Sequence, residues 1–186
     1  HAEMRAYAAG ALGDTAIDRE QVWGLLEKAI GDPESVVRAQ AARALALVGD
    51  ERSLRLLEEV LLDEDADVRA AVYWLDDRQC ERMSAQLETL CNDPDPTVRR
   101  VVMDKLAHIS SRGKSVSALG RALTDKDPSV REAAVNTLAD VGGDAALALV
   151  GNALDDPIVD IRSAAMLALR SMGGDQAHAL IVDQVA

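Results

Sequence analysis

The sequence contains no phenylalanine, two tyrosines and two tryptophans, so aromatic residues make up 2% of its 186 positions. A core built without large rings must be filled by small aliphatic side chains between closely approaching backbones. The chain is nevertheless 48% hydrophobic, rich in Ala, Leu and Val, which excludes disorder by composition. Ala and Leu also lead the helix propensity scale, so the same choice favours helices over strands. No run approaches the roughly 18 uninterrupted apolar residues that span a bilayer, and no membrane partner is expected. Histidine is scarce: besides His1 there are only His108 and His178, and no His-x-x-x-His or Cys-x-x-Cys spacing that could seat a metal. We therefore expect no catalytic residues, no metal site, no cofactor and no enzymatic activity. Cys80 and Cys91 are eleven residues apart. On one helix that separation is about 16 Å, beyond disulfide reach, and unpaired thiols suit a reducing compartment, here the cytoplasm.

Positive charge is also in short supply. Twenty Lys and Arg stand against 32 Asp and Glu, a net charge of −12. Such a chain is repelled by phosphate backbones, so nucleic acid is not the expected partner. The run His108 to Ser115 ends like a phosphate-binding loop, but His108 stands where that motif needs its first glycine, and the run follows a helical pattern rather than a strand.

What the chain does have is an internal repeat. An apolar residue followed by Arg recurs as Met4-Arg5, Val37-Arg38, Val68-Arg69, Val98-Arg99, Val130-Arg131 and Ile161-Arg162, with Arg-to-Arg spacings of 33, 31, 30, 32 and 31. Three residues after each Arg comes Ala8, Ala41, Val72, Val102, Ala134 or Ala165, and seven after it Leu12, Leu45, Leu106, Leu138 or Leu169. In the third unit Leu75 falls one position early. Apolar positions at −1, +3 and +7 trace one face of a helix. A glycine break usually follows, at Gly13-Asp14, Gly49-Asp50, Gly113, Gly142-Gly143-Asp144 and Gly173-Gly174-Asp175. Gly suits the left-handed end of one helix, and the adjacent Asp can cap the next. A second apolar run, such as Leu54, Leu57, Leu61 or Leu147, Val150, Leu154, again has helical spacing. Each unit reads as helix A, a tight turn and helix B, and the expected units run approximately 1–31, 32–62, 63–92, 93–124, 125–155 and 156–186 of a single solenoid. The abrupt ends lead us to expect a segment of a longer protein.

Asp stands six residues before Arg at five junctions: Asp32/Arg38, Asp63/Arg69, Asp93/Arg99, Asp125/Arg131 and Asp156/Arg162. Asp95-Pro96 and Asp127-Pro128 look like a cap and the first helical residue, which puts the earlier Asp in the turn between repeats. An Arg in a first helical turn is disfavoured by the helix dipole and needs an acid close by. We expect a ladder of Asp–Arg pairs linking adjacent units, rather than aspartates that only cap helices.

The pattern Asp-Pro-x-x-x-Val-Arg-x-x-Ala-x-x-x-Leu, then Gly-Asp, then a second amphipathic helix, resembles the short HEAT-like repeats named after phycobilisome lyases. It is best matched at 32–50, 125–144 and 156–175. The resemblance implies an all-α, right-handed α-solenoid of about six helical-hairpin repeats, with the B helices lining a groove. The outward positions of those helices would include Trp23, Glu27, Arg52, Arg55, Glu59, Arg82, Gln86, Lys114, Ser117, Arg121 and Asn152. We take Trp23, Arg52, Arg55, Arg82, Lys114 and Arg121 as the candidate partner-binding set, since Trp and Arg are the residue types that anchor interfaces. The expected function is a non-catalytic scaffold for a protein or peptide partner. The alternative is a lyase-like or nucleic-acid-repair-like protein acting on a bulky ligand, for which the groove cations are the support.

Overall fold

A computed structural model describes residues 19–109 and 112–183. Met4-Arg5, Ala8, Leu12 and Gly13-Asp14 therefore lie outside the described residues. Among the described residues there are twelve α-helices and no strand. The chain divides into two compact units, His1–Leu90 and Cys91–Ala186.

The first unit contains α1 (Arg19–Ile30), α2 (Ser35–Val48), α3 (Glu51–Val60), α4 (Ala66–Arg69) running into a 3-10 turn (Ala70–Trp74), α5 (Asp77–Arg82) and α6 (Ser84–Leu90). The second contains α7 (Pro96–Leu106), α8 (Arg112–Ala122), α9 (Pro128–Val141), α10 (Asp144–Asn152), α11 (Val159–Met172) and α12 (Gly174–Asp183). A helices stack on A helices: α2 packs against α4 and its 3-10 turn, and α9 lies between α7 and α11. The B helices form a second layer in which α10 touches both α8 and α12. The residues at −1, +3 and +7 make the seam between layers; Val130, Ala134 and Leu138 are wholly buried, and so are Ala165 and Leu169. Small side chains at +3 let neighbouring A helices approach, as the lack of aromatics requires.

Consecutive B helices also meet closely. A Cβ at Gly120 would lie 3.1 Å from Leu149, and one at Gly151 would lie 3.0 Å from Leu180. The same glycine–leucine contact thus recurs one repeat later, from α8 to α10 and from α10 to α12.

The A helices start as the Asp-Pro signals indicate. Asp95 and Asp127 cap α7 and α9 by accepting the amides of Thr97 and Ser129, with Pro at the first helical position. The glycine turns differ from expectation in three respects. Among the described turns Gly49 alone takes the left-handed helical conformation, with φ 65° and ψ 11°. Gly142 and Gly173 combine positive φ with extended ψ, and Gly143 and Gly174 follow with positive φ, so those turns use a glycine pair. Asp50 caps α3, but Asp144 and Asp175 sit inside the first turns of α10 and α12, where a carboxylate favours the positive helix end without capping it. Gly113 is no break: α8 already begins at Arg112.

The third repeat is not a simple hairpin. Its A helix tightens into the 3-10 turn after Arg69, Leu75 leaves in extended conformation, and its B helix is divided at Met83 between α5 and α6. Asp76 and Gln79 form a capping box, the Asp side chain accepting from the Gln79 amide and the Gln79 side chain accepting from the Asp76 amide. The other end of the Gln79 side chain donates to the Ala46 carbonyl at 2.8 Å, tying this turn to the C-terminus of α2. A Cβ at Gly49 would fall 2.5 Å from that Gln79 nitrogen. Gly49→Ala therefore meets two costs, a left-handed backbone of roughly 1–2 kcal/mol and a displaced hydrogen bond of about 1 kcal/mol. Urea unfolding is expected to show a loss of about 2–3 kcal/mol.

Candidate partner-binding surface

Arg38, Arg99 and Arg131, each in the first turns of an A helix, face two ways. Arg38 Nη1 donates to the carbonyls of Asp32 (2.9 Å) and Pro33 (3.2 Å), closing the turn before its own helix. Its Nε and Nη2 grip both carboxylate oxygens of Asp63, in the next repeat, at 2.7 and 2.9 Å. Arg99 repeats this with Asp93 O, Pro94 O and a fork onto Asp125 at 2.7 and 2.7 Å. Arg131 does so with Asp125 O and a fork onto Asp156 at 2.7 and 3.1 Å. Arg69 and Arg162 make the same turn bonds, to Asp63 O and Glu64 O and to Asp156 O and Pro157 O. Each aspartate of the set also accepts the amide two residues on: Glu34 on Asp32, Asp65 on Asp63, Asp95 on Asp93, Asp127 on Asp125 and Ile158 on Asp156. One carboxylate thus folds its own turn and holds the preceding repeat's guanidinium.

These pairs are largely out of water; the Arg99 side chain is 5% exposed and that of Asp125 14%. The hydrogen bond from Arg38 holds Asp63 below the usual carboxylate range, although burial opposes it. Asp156 is lowered in the same way by Arg131. At Asp125 burial is the largest influence and pushes upward, but the Arg99 bond, the Asp127 amide and the Arg99 charge together outweigh it. The paired guanidiniums of Arg38, Arg99 and Arg131 are raised above their ordinary value by these same hydrogen bonds.

The B helices carry a second set of links, nearer to solvent. In the first unit Arg52 on α3 reaches back to Glu27 on α1 at 2.6 Å and lies 3.6 Å from Glu20. Arg82 on α5 pairs with Glu51 on α3, and Gln86 on α6 donates to Glu58 on α3 at 3.0 Å. Arg55 is the most open of these cations, its side chain 65% exposed with Glu51 at 3.8 Å. In the second unit Lys114 and Arg121 are exposed on α8, and Arg121 donates to Ser117 at 3.2 Å.

Trp23 does not point outward as expected. It is 5% exposed, with the Arg52 guanidinium 5.1 Å from the centre of its ring; Val22 and Leu26 on the same helix are buried too. The Arg52 guanidinium comes from the next repeat, which a pattern read one helix at a time does not reveal. Arg52 is consequently a lid over an indole and a partner of Glu27. The signal that identifies this pairing is the acids at 20 and 27 on the preceding B helix.

No three His, Cys, Asp or Glu side chains come together as a metal site among the described residues. Cys80 is fully buried and Cys91 is partly exposed. No described helix is long and apolar enough to cross a membrane.

Comparison with known proteins points the same way as this geometry. The family model described as HEAT repeats matches residues 1–75 and 84–170. No curated protein matches the sequence significantly. Among solved structures, the complex of CpcE and CpcF of phycocyanin lyase from Nostoc sp. aligns at TM-score 0.57 and 18% identity, over 98% of this chain and 89% of that one. A designed armadillo repeat protein in complex with the peptide (KR)4 aligns at TM-score 0.56 and 18% identity, over 90% and 91%. The Pds5–Scc1 complex aligns at TM-score 0.67 and 11% identity, over 99% of this chain and 36% of that one. At such identities the likeness shows the fold, an all-α solenoid. With hairpins in two layers, an Arg–Asp fork recurring between successive repeats, and a family model covering most of its length, the chain belongs to the HEAT repeat family.

Proposed function

We propose that the chain is a protein-interaction scaffold without catalytic activity, and that it takes a protein or peptide segment on the B-helix face of its repeats. The observation that carries this reading is Arg55, an exposed cation one turn along α3 from Glu51 and Arg52, which belong to the Glu51–Arg82 and Glu27–Arg52 pairs of the first unit. Side chains that alternate in sign across neighbouring helices offer an extended partner a row of exchangeable ion pairs. A designed armadillo repeat protein of similar fold holds a charged peptide, and another structure of similar fold is a complex of two proteins. Trp23 contributes from below by seating Arg52, whereas Arg52, Arg55 and Arg82 in the first unit, and Lys114 and Arg121 in the second, would meet the partner. A lyase-like role is the second reading, favoured by the likeness to the CpcE–CpcF complex. A repair-like role on nucleic acid has the groove cations in its favour and the −12 charge against it.

Two charge-reversal proteins divide the question, Arg55→Glu with Arg82→Glu in the first unit and Lys114→Glu with Arg121→Glu in the second. In pull-downs from the native host, at least one is expected to lose partners that the parent retains. If both retain every partner, the B-helix face is not the docking site. Salt-dependent binding of labelled duplex DNA at micromolar protein would instead favour the nucleic-acid reading.

A further inference from the structure

The chain holds four aromatic side chains, and two of them are adjacent and exposed. Tyr73 is 56% exposed and Trp74 41%, packed edge to face with ring centroids 5.0 Å apart. They stand on the 3-10 turn, where the third repeat abandons the regular A helix. From α2, Arg43 lays its guanidinium 4.3 Å from the centre of the Trp74 ring. Among the described residues no carboxylate pairs with Arg43, and its Nε is buried without a hydrogen-bond partner. Five other arginines of this acidic chain are treated differently: Arg38, Arg99 and Arg131 are forked onto aspartates, and Arg52 and Arg82 are paired with glutamates. Arg43 is held by an indole instead. Stacking fixes the plane of a guanidinium without using its in-plane N–H groups, and the terminal Nη groups are the ones a carboxylate would meet. Leu47, one turn further along α2, is 46% exposed and adds an apolar edge.

We propose that the Arg43–Trp74 stack, with Tyr73 and Leu47 beside it, is a second docking site, and that it takes an acidic peptide segment of a partner protein. A carboxylate of that segment pairs with Arg43 while an adjacent aliphatic side chain covers Trp74 and Leu47. Charge complementarity selects this occupant. An exposed aromatic pair alone would accept many apolar surfaces, but a guanidinium with which no described carboxylate pairs prefers a surface that brings its own. The site lies on α2 and the 3-10 turn, outside the B-helix residues Arg55 and Arg82, so the two proposals stand or fall separately.

The probe is the peptide acetyl-Leu-Glu-Leu-Glu-Leu-amide, titrated into the full chain while tryptophan emission is followed, with a counterpart carrying Lys for Glu as control. A saturable change is expected for the acidic peptide only. It should persist in Trp23→Phe, because the buried Trp23 is not the reporter. Arg43→Gln should weaken binding about tenfold, the factor set by losing one charge-assisted pair. Arg43→Lys, which keeps the charge but loses the planar fork, should also weaken it, and Arg55→Gln should leave it unchanged. Circular dichroism of each variant establishes that it is folded. Equal binding of both peptides, no saturable change, unaltered affinity in folded Arg43→Gln, or dependence on Arg55 would each overturn the proposal.

Discussion

An Asp125→Ala protein is expected to unfold with about 3–5 kcal/mol less free energy than the parent, because it strands the Arg99 guanidinium in a site with 5% side-chain exposure. Two functions are lost together, the fork that answers Arg99 and the acceptor for the Asp127 amide. Asp125→Asn separates them. An asparagine oxygen still accepts from the turn amide, as capping requires, but it brings no negative charge and cannot answer the guanidinium with two acceptors. If the aspartates only shaped turns, Asn would be tolerated within about 0.5 kcal/mol. With the fork as the main contribution, Asn is expected to cost roughly 2 kcal/mol or more. Urea titrations of the two variants at neutral pH make the comparison.

Acidification is expected to destabilise the chain through these same carboxylates. Asp63, Asp125 and Asp156 bind their protons more weakly in the folded chain than at the ordinary aspartate value of 3.8. The stability each contributes is therefore complete above that value and is lost as the pH falls below it, through the lowered folded value. The net charge of −12 acts in the opposite sense, since protonating surface carboxylates first relieves repulsion. Urea midpoints should accordingly hold or rise slightly from about pH 7 to about pH 5, then drop steeply below about pH 4. In a chain with Asp63→Asn and Asp156→Asn the midpoint at neutral pH should already be low, and the acid drop should be shallower. A drop of unchanged steepness in that double variant would mean that other groups carry the acid transition.

Much of this architecture is legible in the sequence, because the residues that make it repeat. Buried positions recur at −1, +3 and +7, and a helix has only one face with that spacing. The six-residue interval from Asp to Arg is equally visible, but it conceals two bonds. Within the interval Arg38 reaches only backbone carbonyls, those of Asp32 and Pro33, and the carboxylate it grips is Asp63, 25 residues on. That choice depends on how neighbouring hairpins stack and is not a local property.

The surface is less legible for the same reason. Trp23 has the spacing of an outward residue, yet the B helix of the next repeat lays Arg52 over its ring, and the glutamates that occupy Arg52 and Arg82 come from preceding helices. Gly113 fails as a break because a glycine in the first turn of a helix costs little. The third repeat did carry a readable signal: Asp76 and Gln79 have the spacing of a capping box. What no spacing shows is that Gln79 spends its amide on Ala46, over a glycine whose missing side chain leaves the room.

The direct test of repeats joined by acid and guanidinium is a double-mutant cycle on Arg131 and Asp156, with Arg131→Met, Asp156→Leu and the pair measured by urea unfolding. The cycle cancels what each residue does alone, including the bond from Arg131 to the Asp125 carbonyl, and retains what passes between them. A coupling of about 1.5–3 kcal/mol, with the double variant more stable than Asp156→Leu alone, is the expected result. Additive losses within about 0.5 kcal/mol would show that these two side chains stand beside each other without holding the repeats together.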